Sequence, residues 1–228
     1  DNGDVAEYEY GVPGPPIRWG PSLGGERVVS ISAGLDFVVA VTGAGHVWAC
    51  GAADYGALGL GSPEDVNTRG VVELSRVEAL DDAGPVVSVS CGFDFTFAVT
   101  REGGAYYWGH IQHVLETEGD VLALGSRYVA SPKRADTGGA RIVSACAGYL
   151  VAFLVTETGA LLGCGKNMNG ELGVGDTEPH FSGLIRCGGD VLSGERCVKV
   201  STSAFPRDEN AHTLVLTTSG TVYGFGCN

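Results

Sequence analysis

Positive charge is scarce in this chain. Its 228 residues carry 14 Lys and Arg against 27 Asp and Glu, a formal net charge of −13. Nucleic-acid surfaces rest on basic stripes, so direct nucleic-acid binding is not expected. The excess of acid favours a basic partner or solubility. No run of 18 apolar residues occurs, so no membrane span is expected. Asp1–Tyr10 is acidic and aromatic, where a secretory leader would be basic and then apolar. The seven cysteines include no CxxC pair. Cys50 and Cys164 each precede a recurring glycine, and Cys91 and Cys146 sit at recurring strand positions. They read as small core residues, not bridges or zinc ligands. That usage suits an intracellular, reducing compartment, whether nuclear, cytoplasmic or organellar. No HExxH, Walker loop or GxGxxG is present. The expectation is a protein without catalytic residues, cofactor or metal.

Glycine, in contrast, is abundant at 37 residues, and it is periodic. Gly34, Gly92 and Gly148 recur 58 and 56 residues apart. Around them Arg27–Gly51, Val86–Gly109 and Ile142–Gly165 are copies of one unit, and Cys197–Asn228 is a looser fourth. Each copy reads as three strands. The first alternates apolar and small polar residues, as in VVSIS, VVSVS and IVSAC. A turn comes next, Gly34-Leu-Asp-Phe or Gly92-Phe-Asp-Phe, where glycine is expected to supply a positive φ and Asp to bond its own backbone. The second strand is apolar on both faces, so it belongs in the middle of a packed stack. A hairpin with glycine at Gly45, Gly103 or Gly159 leads to the third strand. A glycine loop and a less regular run such as Val71–Val77 complete a four-stranded unit. Units of this length stack or arrange radially, since none buries its apolar faces alone.

The glycine loops Asp54-Tyr-Gly56-Ala-Leu58-Gly59 and Asn167-Met-Asn-Gly170-Glu-Leu172-Gly173 make the pattern specific. The unit resembles the repeat of the regulator of chromosome condensation family, seven-bladed β-propellers, over nearly the whole chain from Arg27 on. The fold expected is therefore all-β, a partial propeller ring of four-stranded antiparallel blades. Residues 1–26 read as a tail plus the trailing strand of a preceding repeat. Residues 27–85, 86–141 and 142–196 are three repeats, and 197–228 is a truncated fourth, all within one propeller domain. The resemblance implies that the remaining blades come from a longer chain or a second chain. The alternative is a small four-bladed ring.

Two departures from the repeat mark candidate binding loops, because loops on a rigid scaffold carry function. Within His110–Asp120 about eight residues are inserted, among them His110, His113 and Glu116. His110 and His113 have HxxH spacing, but no third ligand accompanies them. Ser203–Asn210 is a second insertion, with Arg207 and Asp208. The family's turn carries an Asp and a His that can face a GTPase. Asp36 and Asp94 match the acidic position, and His212 alone matches the histidine, where Phe37, Phe95 and Val151 stand in the other copies. Known members include an exchange factor for a Ran-type GTPase, ligase-associated propellers and a UV-B photoreceptor. The photoreceptor reading needs a Gly-Trp-Arg-His-Thr motif, absent around Trp19, Trp48 and Trp108. The function expected is a protein-interaction scaffold. The alternatives are guanine-nucleotide exchange on a small GTPase and a structural role in a large assembly.

Overall fold

The computed structural model describes residues 23–52, 54–61, 71–111, 128–203 and 211–227. They form four antiparallel sheets. The first holds β1 (Val28–Ala33), β2 (Phe37–Thr42), β3 (Val47–Ala52) and β4 (Val71–Arg76). The second holds β5 (Val86–Cys91), β6 (Phe95–Thr100), β7 (Ala105–Gly109) and β8 (Val129–Arg134). The third holds β9 (Ile142–Ala147), β10 (Val151–Thr156), β11 (Leu161–Gly165) and β12 (His180–Arg186). The fourth, three-stranded among the described residues, holds β13 (Cys197–Thr202), β14 (His212–Thr217) and β15 (Val222–Gly226). In each sheet the strands run in chain order. The first strands β1, β5, β9 and β13 lie against one another in turn, so the sheets are propeller blades with those strands innermost.

The burial pattern results from this arrangement. Second strands β6 and β10 are buried at all six positions, because a blade packs on each of their faces. Val39, Val41, Phe97 and Val99 meet the following blade, while Ala98, Ala152 and Leu154 meet the preceding one. One core runs through the first three blades, and a second joins the third to the fourth through Phe153, Val155, Leu161, Val200 and Val215. Each fully buried Phe or Leu here stabilises the fold by roughly 1.5–3 kcal/mol. Each first strand skips a residue in its ladder with the second, and that residue is a valine: Val29, Val87, Val143 or Val198. A bulge re-aims the side chain it carries, and all four valines are exposed.

The hairpins match the sequence expectation. Gly45, Gly103, Gly159 and Gly220 take φ of 92°, 83°, 82° and 81°. Gly34, Gly92 and Gly148 do not lie in the left-handed region, which corrects the expectation for the turn before the second strand. Their role is space. A Cβ on Gly34 or Gly92 would sit inside the ring of Phe37 or Phe95, which folds back beneath the turn.

Adjacent blades are laced along their inner strands. The amides of Cys91 and Ala147 each donate to the preceding blade's serine, Ser32 or Ser90, at 2.9 Å. In the third seam the backbone of Thr202 bonds Cys146 in the same way. At the other end of the strand, Val86, Ile142 and Cys197 donate to the hairpin carbonyls of Gly45, Gly103 and Gly159 at 3.1, 2.9 and 2.9 Å.

Candidate interaction rim

Because the strands alternate in direction, each blade has two different ends. The connections from β2 to β3, β6 to β7 and β10 to β11 are four-residue hairpins at one end, which also carries the links between blades. At the opposite end lie the turns into the second strands and every connection from third to fourth strand. Both sequence insertions leave from this loop rim, since β7 ends at Gly109 and β13 ends at Thr202.

The hairpin rim is closed by short polar contacts. His46 Nδ1 lies 2.8 Å from Glu26 Oε1, Arg141 Nε 3.5 Å from Glu157, and Arg196 donates to the Glu157 carbonyl at 2.9 Å. Ser219 donates to Glu195 at 3.0 Å. The Thr42 hydroxyl, then His46, holds the Glu26 carboxyl below its ordinary range.

The loop rim is different in chemistry. In each turn Gly N–H bonds the carbonyl three residues on, Phe37, Phe95 or Val151, at 2.7–2.9 Å. The next residue is Leu35, Phe93 or Tyr149, and its amide donates to the turn of the following blade. Leu35 is exposed, and Phe93 meets Tyr149 edge to face at 4.8 Å. Apolar and aromatic side chains thus run across three blades around the inner edge of this rim. Their signal was legible at the second turn position, where a polar residue is the ordinary choice.

Asp36 is exposed beside Leu35, and among the described residues its carboxylate takes no hydrogen bond, contrary to the expected bond to its own turn. Its carbonyl instead receives the Ala52 amide at 2.8 Å. Asp94 is brought together with His110: the carboxylate lies 4.0 Å from Nδ1, and the His110 amide bonds the Asp94 carbonyl at 2.8 Å. The His110 ring stacks on Tyr55 at 4.7 Å. Tyr55 stands at φ 57°, the one non-glycine residue in left-handed geometry among those described. Such strain persists only where surroundings over-determine it, and Gly56 beside it is pressed against Ala130 of β8. The sequence held no direct sign that Tyr55 would meet His110, because the loop crosses from one blade to the next.

His212 starts β14 of the fourth sheet and is exposed, while Asp36 and Asp94 stand in the turns of the first and second sheets. Phe37, Phe95 and Val151, at the equivalent position, are buried core residues. His113, Glu116, Arg207 and Asp208 lie outside the described residues, as does Trp19. Trp108 is buried, and Trp48 half-buried. Gly20-Pro-Ser-Leu-Gly24 spells a GxSxG, but its serine lies outside the described residues. Among the described residues no group of three His, Cys, Asp or Glu is placed to hold a metal ion. All seven cysteines are free thiols. Burial pushes the thiols of Cys91 and Cys187 up to about 11 and about 12, so they are inert packing groups. No helix is long and apolar enough to cross a membrane among the described residues.

Four blades with one loop-bearing rim define a β-propeller arc, and its relatives give its kind. A sequence model of the regulator of chromosome condensation repeat matches residues 44–99. The ultraviolet-B receptor UVR8 of Arabidopsis thaliana is 31% identical over 215 residues, covering 93% of this chain and 43% of the receptor. Human WBSCR16 superposes with a TM-score of 0.71 at 20% identity, over 88% of this chain and 48% of that one. Prp20p of Saccharomyces cerevisiae, described with its binding to Gsp1p and histones, gives 0.70 at 18% identity, over 89% and 44%. The chain spans less than half the length of each. It is a repeat protein of the regulator of chromosome condensation family.

Proposed function

We propose that this chain is a protein-interaction scaffold that binds its partner through the loop rim and performs no covalent chemistry itself. One observation carries the reading: both insertions, the exposed Leu35 and Tyr55, and the acidic Asp36 all share one rim. Exposed apolar groups beside charge are the composition of a recognition surface. Acid at Asp36 and Asp94, in a chain of net charge −13, favours a partner with a basic face.

A second reading is guanine-nucleotide exchange on a small Ran-type GTPase. Its support is the pair of equivalent acidic turns, Asp36 and Asp94, in neighbouring blades of a chain related in fold to a protein that binds Gsp1p. Exchange needs a surface that displaces magnesium and phosphate-binding elements, without a covalent step.

Release of labelled GDP from a panel of small GTPases separates the two. Acceleration that Asp36→Ala and Asp94→Ala abolish supports exchange. Unchanged release, with a partner lost on shortening His110–Asp120, supports the scaffold.

A further inference from the structure

The glycine loop of the third blade carries Asn169-Gly170, a pair with chemistry of its own. Asparagine is a thermolabile residue, and a following glycine leaves the attacking backbone nitrogen unhindered. The loop around this pair is tied down. The Gly170 amide donates to the Asn167 carbonyl at 2.9 Å, and the Gly173 amide to the Gly170 carbonyl at 3.0 Å. The Glu171 carboxylate accepts from the Asn169 backbone amide at 2.8 Å and from its Nδ2 at 3.0 Å. Glu171 is 4% exposed, the one buried carboxylate among the described residues. A buried charge persists only where hydrogen bonds answer it, and here Asn169 supplies two. In the first-blade loop Ala57 stands at the place of Glu171 and Tyr55 at the place of Asn169. The labile residue and the carboxylate that holds it are thus present together in one loop and absent together from the other.

We propose that Asn169 is a site of spontaneous deamidation that Glu171 and the turn hold shut in the folded blade. In the reaction hydroxide takes the Gly170 N–H proton, and the nitrogen attacks Cγ of Asn169. The N–Cγ bond forms, the Cγ–Nδ2 bond breaks, and Nδ2 leaves as ammonia with a proton from water. Water then opens the resulting succinimide at Cγ to give aspartate, or at the Asn169 backbone carbonyl carbon to give isoaspartate. Each folded contact opposes a step. The Asn167 carbonyl holds the proton that must leave, and the Glu171 carboxylate fixes the carboxamide in one orientation. Its negative charge also disfavours an amide anion one residue away. The product reverses the contact: a carboxylate oxygen replaces the Nδ2 donor opposite buried Glu171, and attraction becomes repulsion. Gly173 of the same loop lies against Phe225 of the last blade, so the change loosens the seam between the third and fourth blades. The reaction is one-way, and the loop therefore records its own openings. This site is independent of the partner bound on the loop rim.

Peptide mapping by mass spectrometry of the 228-residue chain, held at neutral pH, tests it. Deamidation adds one mass unit to the fragment that carries Asn169. In the folded wild type the rate is expected to be at least about tenfold below that of the same chain unfolded in urea, because reaction waits on local opening. Glu171→Ala, which copies Ala57 of the first blade, is expected to raise the folded rate several-fold with unchanged far-ultraviolet circular dichroism. Glu171→Gln keeps the size and one acceptor oxygen, and its rate is expected to fall between the two. Each variant is read against its own unfolded chain, so a change in intrinsic reactivity cancels. Asn169→Asp, one product of the reaction, is expected to lower the thermal midpoint. A folded wild type that deamidates as fast as its unfolded chain overturns the proposal. So does a folded Glu171→Ala or Glu171→Gln chain that keeps the full wild-type protection, or an Asn169→Asp chain with an unchanged midpoint.

Discussion

The indole Nε1–H of Trp108 donates to the carbonyl of Ala57 at 2.8 Å, across the seam from the second blade to the first. Gly59, two residues on, lies flat against the same indole. In the third blade Gly173 lies against the Phe225 ring in the same way. The glycine loop is thus a clamp: its glycines let backbone close over an aromatic side chain of the next blade. Trp108 is fully buried, so its hydrogen bond is shielded from water.

Trp108→Phe keeps an aromatic ring but removes the donor, leaving the buried Ala57 carbonyl with only the long 3.5 Å bond from the Thr96 hydroxyl. The expected loss is about 1–3 kcal/mol, read as a lower midpoint in urea with an unchanged slope. An unchanged midpoint would show that the loop is held by other contacts.

Gly173→Ala and Gly175→Ala form an internal control. Both glycines have positive φ, at 63° and 92°, but a Cβ on Gly173 would meet Phe225 at 2.7 Å and one on Gly175 would meet nothing within 4 Å. Both substitutions therefore cost about 1 kcal/mol or more from backbone strain. Gly173→Ala is expected to cost more by the clash, seen as the larger drop in thermal midpoint. Equal drops would remove the clamp from the account.

Alkaline stability depends on the buried thiols. Folding raises Cys91 to about 11 and Cys187 to about 12 from 9.0, through burial. Their contribution is complete below the unfolded value and is lost as pH rises through the folded values. Unfolding free energy is therefore expected to fall between about pH 9 and 12. Cys187→Ala, which copies Ala135 at the equivalent place in the second blade, is expected to flatten that fall in denaturant titrations across this range. An identical pH slope in the variant would assign the fall to other groups.

Much of this arc was legible as period and alternation. VVSVS and FTFAVT carry their strand identity in the spacing of apolar residues, and the recurrence of Gly34, Gly92 and Gly148 placed the blades. The turn glycines show where the reading failed. A glycine before Asp suggests a positive φ, but what demands it here is the folded-back ring of Phe37 or Phe95, a contact set by tertiary packing. Asp36, Asp94 and the two insertions were found as departures and matches within the repeat. Tyr55 was not, because its stacking on His110 spans two blades and depends on a backbone angle the sequence disguises. The lacing by Ser32, Ser90 and Cys146 was hidden in the same way: one small polar position per strand reads as ordinary alternation until the next blade is in place.

The most direct measurement of the central claim is site-specific photo-crosslinking in cell extract. A photoreactive residue is placed at Asp36 or Tyr55 on the loop rim, and at Arg101 or Ser219 on the hairpin rim. The account predicts a discrete protein adduct from the loop-rim positions, lost when His110–Asp120 is shortened, and none from the hairpin rim. Adducts confined to the hairpin rim, or equal from both, would contradict it.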